Sequence, residues 1–329
     1  MRAVFFGTPE FAVPSLAALI NAGVDVAAVV TQPDRPRGRS HSTLLPSPVK
    51  QRAGAAGIPV LQPERPRDAA FNQQVRELEP DLAVVVAYGH LLKPELLAIP
   101  RLGFVNVHAS LLPRWRGAAP IQWALLAGDA ETGVTIMRIE QGLDTGAIWH
   151  ERDTAISATD TAATLFERLA LLGAEALVEA LPRIASGAEP TPQSDVGATH
   201  ASKIDRELAR IRWDEPAAAI SCRIRAMDPA PGAWTTVGGA EMKVFEPVAA
   251  CWGPGATPRE APGSARAETQ LPAPSSQPGT ILSDRNKLSV VCGDHHLMEI
   301  RTVQPSGKRR MPAAEWLRGA ALREGTRFE

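Results

Sequence analysis

Three cysteines in 329 residues, Cys222, Cys251 and Cys292, are odd in number and widely spread. None belongs to a C-x-x-C pair with histidine nearby, so neither a disulfide framework nor a zinc site is indicated. No stretch of about 18 apolar residues occurs, which argues against a membrane-spanning helix. The first apolar run, "AVFF", is too short for a signal peptide, and a cytoplasmic protein is expected. Charge of one sign is missing too: the formal net charge is −1, so no global field draws the chain to a polyanion. Glycine is scarce where a dinucleotide would need it, because "FFGTPEF" holds one glycine where a G-x-G-x-x-G turn uses three. A G-x-S-x-G elbow is absent as well, so nothing points to a serine nucleophile of that type.

What is present is an ordinary globular composition, 44% hydrophobic and 22% charged, on a chain long enough for two domains. Through the first half, short apolar runs alternate with helical patterns. "AVFF", "VAAVVT", "IPVL", "LAVVVAYG" and "GFVNVH" read as strands, and "PSLAALINAG", "PVKQRAGAAG" and "DAAFNQQVRELEP" as the helices between them. That βαβ rhythm predicts a doubly wound, parallel α/β sheet. "TGVTIMRIE" and "GAIWHERD" add two strands, and 160–187 carries an amphipathic helix with its leucines on one face. We place the first domain at 1–189, a linker rich in Pro, Ser and Thr at 190–207, and a β-rich second domain at 208–329. In the second domain Gly238-Gly239 suits a two-residue hairpin turn, a small barrel is expected, and 252–279 reads as a flexible insertion.

The chemistry gathers at "NVHASLLPRWRG". On a strand, Phe104, Asn106, His108 and Ser110 project to one side, so two polar groups sit together where an apolar strand ends. Buried polar groups without partners cost about 1 to 3 kcal/mol, which places these two at the carboxyl end of the strand, where open α/β sheets bind ligands. A second polar loop, "GLDTG", offers Asp144. A carboxamide, an imidazole and a carboxylate suit transfer of an acyl-type carbon to a nucleophile, and no Ser or Cys nucleophile is needed if an amine attacks directly. The amide donates to a developing oxyanion, the imidazole donates or moves a proton, and the carboxylate orients the ring or accepts the amine proton. A satisfied structural pair at Asn106 and His108, with Asp144 as a turn residue, is the competing interpretation.

Together "FFGTPEF", "TQPDRP", "SLLPRWRGAAPI", "QGLDTG" and "RIRAMDPAPGAW" make the sequence similar to the 10-formyltetrahydrofolate-dependent formyltransferases, over almost its whole length. "TQPDRP" and the second domain resemble the tRNA-directed branch. The resemblance implies a Rossmann-like domain followed by an OB-like barrel, with 10-formyltetrahydrofolate as donor, no metal, and methionyl initiator tRNA as acceptor. It maps catalysis onto Asn106, His108 and Asp144, and folate binding onto Ser110, Leu111, Leu112 and Pro113. Arg35, Arg37 and Arg39 occupy the loop that the resemblance assigns to the tRNA acceptor stem, and Lys308, Arg309 and Arg310 form a further basic cluster expected to meet tRNA phosphates. Two departures stand out: Ala109 where glycine is frequent, and "SHSTL" after Arg39 where lysines are frequent. No membrane contact and a monomeric state are expected. The rival interpretations are a folate-dependent enzyme with a sugar or purine-precursor acceptor, a dinucleotide oxidoreductase, and a tRNA-binding module without turnover.

Overall fold

The computed structural model describes residues 1–37, 43–248, 277–284, 286–320, 322–323 and 325–329. The chain divides into two compact units. The first comprises Met1–Pro120, Thr132–Thr154 and Phe166–Ala201, and the second Ile121–Glu131, Ala155–Leu165 and Ser202–Glu329.

In chain order the elements up to Ala201 are β1 (Arg2–Gly7), α1 (Val13–Asn21), β2 (Asp25–Val30), β3 (Arg35–Arg37), β4 (Thr43–Leu45), α2 (Pro48–Ala55), β5 (Val60–Leu61), α3 (Ala69–Glu77) and β6 (Leu82–Val86). They continue with α4 (Pro94–Leu97), β7 (Phe104–His108), β8 (Arg116–Gly117), α5 (Pro120–Leu126), β9 (Glu131–Arg138), β10 (Ile148–Ala155), α6 (Ala162–Ala185) and β11 (His200–Ala201). Local chemistry explains several boundaries. Proline opens α1 and α2, where a missing N–H costs nothing. The Ser47 hydroxyl also accepts from the Lys50 amide at 3.1 Å as the cap of α2.

The main sheet runs β10-β9-β7-β6-β1-β2-β5. It is parallel from β5 through β7, and β9 pairs antiparallel with β7, so the sheet is mixed where strand rhythm alone suggested parallel throughout. The chain winds outward from β1 through β2 to β5, then crosses to the other side of β1 at β6. That reversal is the switch point beside which open sheets hold ligands. Ala3 to Phe6 are wholly buried. Phe104 lies against Phe6, ring centroids 5.4 Å apart, in a cluster with Val4, Phe71, Val85 and Leu96. On the opposite face of β7, a Cβ at Gly173 of α6 would come within 2.7 Å of Val107, so the helix lies directly on that strand. Strand alternation therefore turns Val107 toward α6 and aims Asn106 and His108 the other way.

The second unit contains α7 (Ala217–Ala226), β12 (Trp234–Val237), β13 (Ala240–Val248), β14 (Ile281–Ser283), β15 (Leu288–Val291), β16 (Leu297–Pro305), β17 (Met311–Pro312) and α8 (Ala313–Gly319). Its antiparallel sheet runs β12-β13-β16-β15-β14, with β17 on β16. Gly238 and Gly239 turn the β12–β13 hairpin at φ 57° and 77°, values that a two-residue hairpin turn requires. The sheet curls, and the final residues bridge its two edges: Phe328 pairs with Val237 and Arg327 with Thr280. Phe328 is buried and stacks on Trp213 with centroids 5.4 Å apart. The architecture is an α/β Rossmann-like unit with an antiparallel, barrel-like second unit. Of the expected insertion at 252–279, residues 252–276 lie outside the described residues.

Candidate active site

His108 ends β7, 5% exposed, and each of its ring nitrogens faces a polar atom. Nε2 lies 3.0 Å from the Trp115 carbonyl oxygen. A carbonyl only accepts, so this nitrogen carries the ring proton and donates. Nδ1 is turned toward Asp144, 3.7 Å from Oδ2, which is longer than a hydrogen bond. The same carboxylate oxygen accepts the Gly117 amide at 2.9 Å, and that bond is its firm anchor. Asn106, half-buried two residues earlier on the same strand face, has a carboxamide with no hydrogen-bond partner among the described residues. The sheet thus presents an uncommitted amide beside an imidazole fixed through one nitrogen, with a carboxylate facing the other.

Asp144 is half-buried in an exposed loop and adopts φ 52°, a left-handed conformation that Asp tolerates better than most residues. Glycine makes the loop possible. A Cβ at Gly146 would overlap the Arg138 carbonyl oxygen, so only glycine lets the loop lie against β9. Trp115 also sits at positive φ, 62°, buried with the Arg114 guanidinium 4.5 Å above its ring.

The segment Ser110–Pro113 forms the turn after β7 and contains a cis Leu112–Pro113 bond. Ser110 is fully buried and donates to the Arg114 carbonyl at 2.6 Å. Leu112 is buried, and its amide donates to Thr135 Oγ1 at 3.1 Å. Leu111 and Pro113 are partly exposed. Two of the four residues therefore build the turn, and two reach its surface.

Residues 1–181 match the formyl transferase family and residues 203–321 its C-terminal domain. The methionyl-tRNA formyltransferase of Methylococcus capsulatus is 47% identical over 325 residues, covering 98% of both chains. That of Myxococcus xanthus is 44% identical over 327 residues, covering 99% of this chain and 97% of its own. The chain belongs to the methionyl-tRNA formyltransferase family. Among solved structures, the methionyl-tRNA formyltransferase of Clostridium thermocellum shares the fold at a TM-score of 0.53 and 15% identity, over 75% of this chain and 92% of that one.

The basic residues of this formyltransferase differ in what they are free to do. Arg35 and Arg37 lie on β3, paired with Leu45 and Thr43 of β4, while Arg39 falls outside the described residues. Lys308 and Arg309 are exposed. Arg310 is engaged: its guanidinium donates to Asp228 Oδ1 at 2.6 Å and lies 3.4 Å over the Phe245 ring. At the base of the β3–β4 ribbon, Lys50 bridges Asp34 at 2.5 Å and Gln62 at 2.7 Å. Hydrogen bonds from Lys50 and Gln62 hold the Asp34 carboxyl below its ordinary value.

Sequence reasoning passed over Gln193, Thr199 and the Trp115 carbonyl. Gln193 donates to the carbonyls of Asp144 and Gly146, and Thr199 accepts from the Trp115 amide. A glutamine and a threonine in a Pro- and Ser-rich stretch carry no signal of such partners. Tyr88, in the turn after β6, also went unremarked. It is 1% exposed, its hydroxyl has no partner among the described residues, and burial pushes its phenol up to about 12. Among the described residues no group of three or more His, Cys, Asp or Glu could hold a metal ion, and no helix is long and apolar enough to cross a membrane.

Proposed function

We propose that this protein transfers the formyl group of 10-formyltetrahydrofolate to the α-amine of methionyl initiator tRNA, and that Asn106, His108 and Asp144 carry the transfer. The observation that bears most weight is the pairing, at the carboxyl end of β7, of an Asn106 carboxamide without a partner among the described residues with a His108 ring whose Nδ1 faces Asp144 at 3.7 Å. When bound, the donor supplies a formyl carbon on a nitrogen leaving group. Its fit is supported by an amide donor left free at the strand end and by Leu111 and Pro113 at the surface of the turn.

In this reading the chain's own groups divide the work. The Asn106 amide donates to the formyl oxygen as negative charge grows there, as an oxyanion-hole side chain does. Trp115 holds the His108 ring by Nε2, which leaves Nδ1 to act at the reacting centre. Asp144, anchored by the Gly117 amide, helps draw the proton from the attacking amine and balances charge on the ring. The bond from formyl carbon to amine nitrogen forms, the bond to the folate nitrogen breaks, and the proton released by the amine passes by way of His108 Nδ1 and Asp144 to that leaving nitrogen, so no covalent enzyme intermediate is needed.

The remaining assignments belong to the same proposal. Domains at 1–189 and 208–329 joined through 190–207 would give one substrate to each, with Ser110 to Pro113 lining the folate side. Arg35, Arg37, Arg39, Lys308 and Arg309 would meet tRNA phosphates, and Arg310 would mainly hold its own domain together. A cytoplasmic monomer fits an acceptor met during translation. The test is incubation with 10-formyltetrahydrofolate and charged initiator tRNA, followed by release of the amino acid. Formylmethionine is the expected product, and unmodified methionine after prolonged incubation rejects the reading.

A further inference from the structure

Residues 191–201 have a connector's composition and lie between the two family matches, at 1–181 and 203–321. From Thr191 to His200 only Gln193 and Thr199 are half-buried, the rest being exposed. Both are committed to the candidate active site. Gln193 Nε2 donates to the Asp144 carbonyl at 3.1 Å and to the Gly146 carbonyl at 2.8 Å, and its Oε1 accepts from Arg116 Nε at 2.7 Å. Two donors and one acceptor on one planar group match a carboxamide, and an acid or an amine of that size lacks one function or the other. Thr199 Oγ1 accepts from the Trp115 amide at 2.8 Å, and the Thr199 carbonyl accepts from the Arg116 amide at 2.9 Å. The Trp115 carbonyl in turn accepts the hydrogen bond of His108 Nε2.

The two backbone positions held in this way are both unfavourable for side-chain-bearing residues, Asp144 at φ 52° and Trp115 at φ 62°. Such conformations persist only where surrounding structure over-determines them. Beyond Thr199 the strand β11 pairs with β8, and the Ala201 carbonyl accepts the Ala118 amide at 2.8 Å. A Cβ on Gly117, whose amide anchors Asp144, would come within 2.5 Å of that carbonyl oxygen.

We propose that 193–201 is a strap that sets the geometry of the site, with Gln193 and Thr199 as positioning residues: Gln193 acts through Asp144, and Thr199 acts on His108 through Trp115. This rests on the reading of His108 and Asp144 as catalytic. A misplacement of about 1 Å at a reacting group can cost about 100-fold in rate, so the strap acts on kcat and leaves substrate affinity alone.

The experiment uses the full chain, with Gln193→Ala and Thr199→Val each made alone and combined with Asp144→Asn. Each single variant should lose about 10- to 100-fold in kcat, with KM for both substrates and the melting temperature close to the parent's. In the Asp144→Asn background, Gln193→Ala should cost less than about twofold more, because residues acting as a unit are not additive. Single variants with kcat within about twofold of the parent overturn the inference, and so does a full further loss from Gln193→Ala in the Asp144→Asn background, whereas Thr199→Val, which acts through Trp115 and His108, should keep its loss there. Should Gln193→Ala fail to fold, Gln193→Glu keeps the acceptor for Arg116, loses the donation to both carbonyls, and is judged by the same outcomes. Near-parental turnover in Asp144→Asn alone brings down the catalytic reading underneath, which separates the two failures.

Discussion

The contrast between Asn106 and His108 sets what can be learned one side chain at a time. Among the described residues the Asn106 carboxamide holds nothing else in place, so Asn106→Ala should lower kcat by about 100- to 1,000-fold, the usual loss for one oxyanion donor. Thermal unfolding of the variant should match the parent's, and a large fall in melting temperature would mean that the amide has a structural role. Tyr88 tests burial at the same scale. Its hydroxyl is unsatisfied, so Tyr88→Phe should be neutral or stabilising by about 1 kcal/mol at pH 7 in urea unfolding. The unfolded phenol ionises near pH 10, whereas the folded one keeps its proton to about 12. Its share of stability is therefore complete below pH 10 and lost as pH rises from 10 toward 12, an effect of roughly 2 to 3 kcal/mol. Cys292, buried and also pushed up to about 12, adds to the same alkaline loss. Tyr88→Phe should thus flatten the alkaline limb without abolishing it.

Elements explain why some of this was legible in the sequence. Apolar runs flanked by proline and glycine marked β1, β2, β6 and β7, because a strand covered on both faces has to be apolar almost throughout. The leucine stripe marked α6, and Gly238-Gly239 marked a hairpin that depends on positive φ. His108 and Asn106 stood out because they break an apolar strand. The antiparallel turn at β9 left no such mark, since the side chains of a strand alternate identically whichever way it runs. The short helices α4, α5 and α8 have too few turns for a periodicity. Gln193 stayed silent for a further reason: its partner Asp144 is 49 residues away and is met through backbone carbonyls, which carry no side-chain code. One element-level consequence is testable at Gly146. A Cβ there meets backbone, which cannot swing aside, so Gly146→Ala should cost about 2 kcal/mol or more and reduce turnover with it. Parental stability in urea unfolding would show that β9 and its loop yield more than their packing suggests.

Across the molecule, a net charge of −1 leaves tRNA attraction to local patches. KM for the tRNA should climb steeply with salt while KM for the folate changes little, since each phosphate neutralised releases counterions. Replacing Lys308 or Arg309 by alanine should lower the slope of that dependence by about one each. Arg310→Ala should instead lower the melting temperature, because Asp228 and Phe245 lose their partner. An unchanged slope in both Lys308→Ala and Arg309→Ala would remove the cluster from the tRNA surface. The bridging tail predicts a similar whole-unit effect: Phe328→Ala should cost about 3 to 5 kcal/mol by opening a void beside Trp213.

The pairing of β11 with β8 also bears on how portable the chemistry is. A fragment cut after Gly187 would keep the whole main sheet and every side chain assigned to the reaction, yet it would leave Asp144 and Trp115 to hold their awkward backbone angles unaided. A chimera grafting this sheet onto a foreign RNA-binding module should therefore take its splice beyond Ala201, because the outline of the sheet and the outline of the working machine do not coincide.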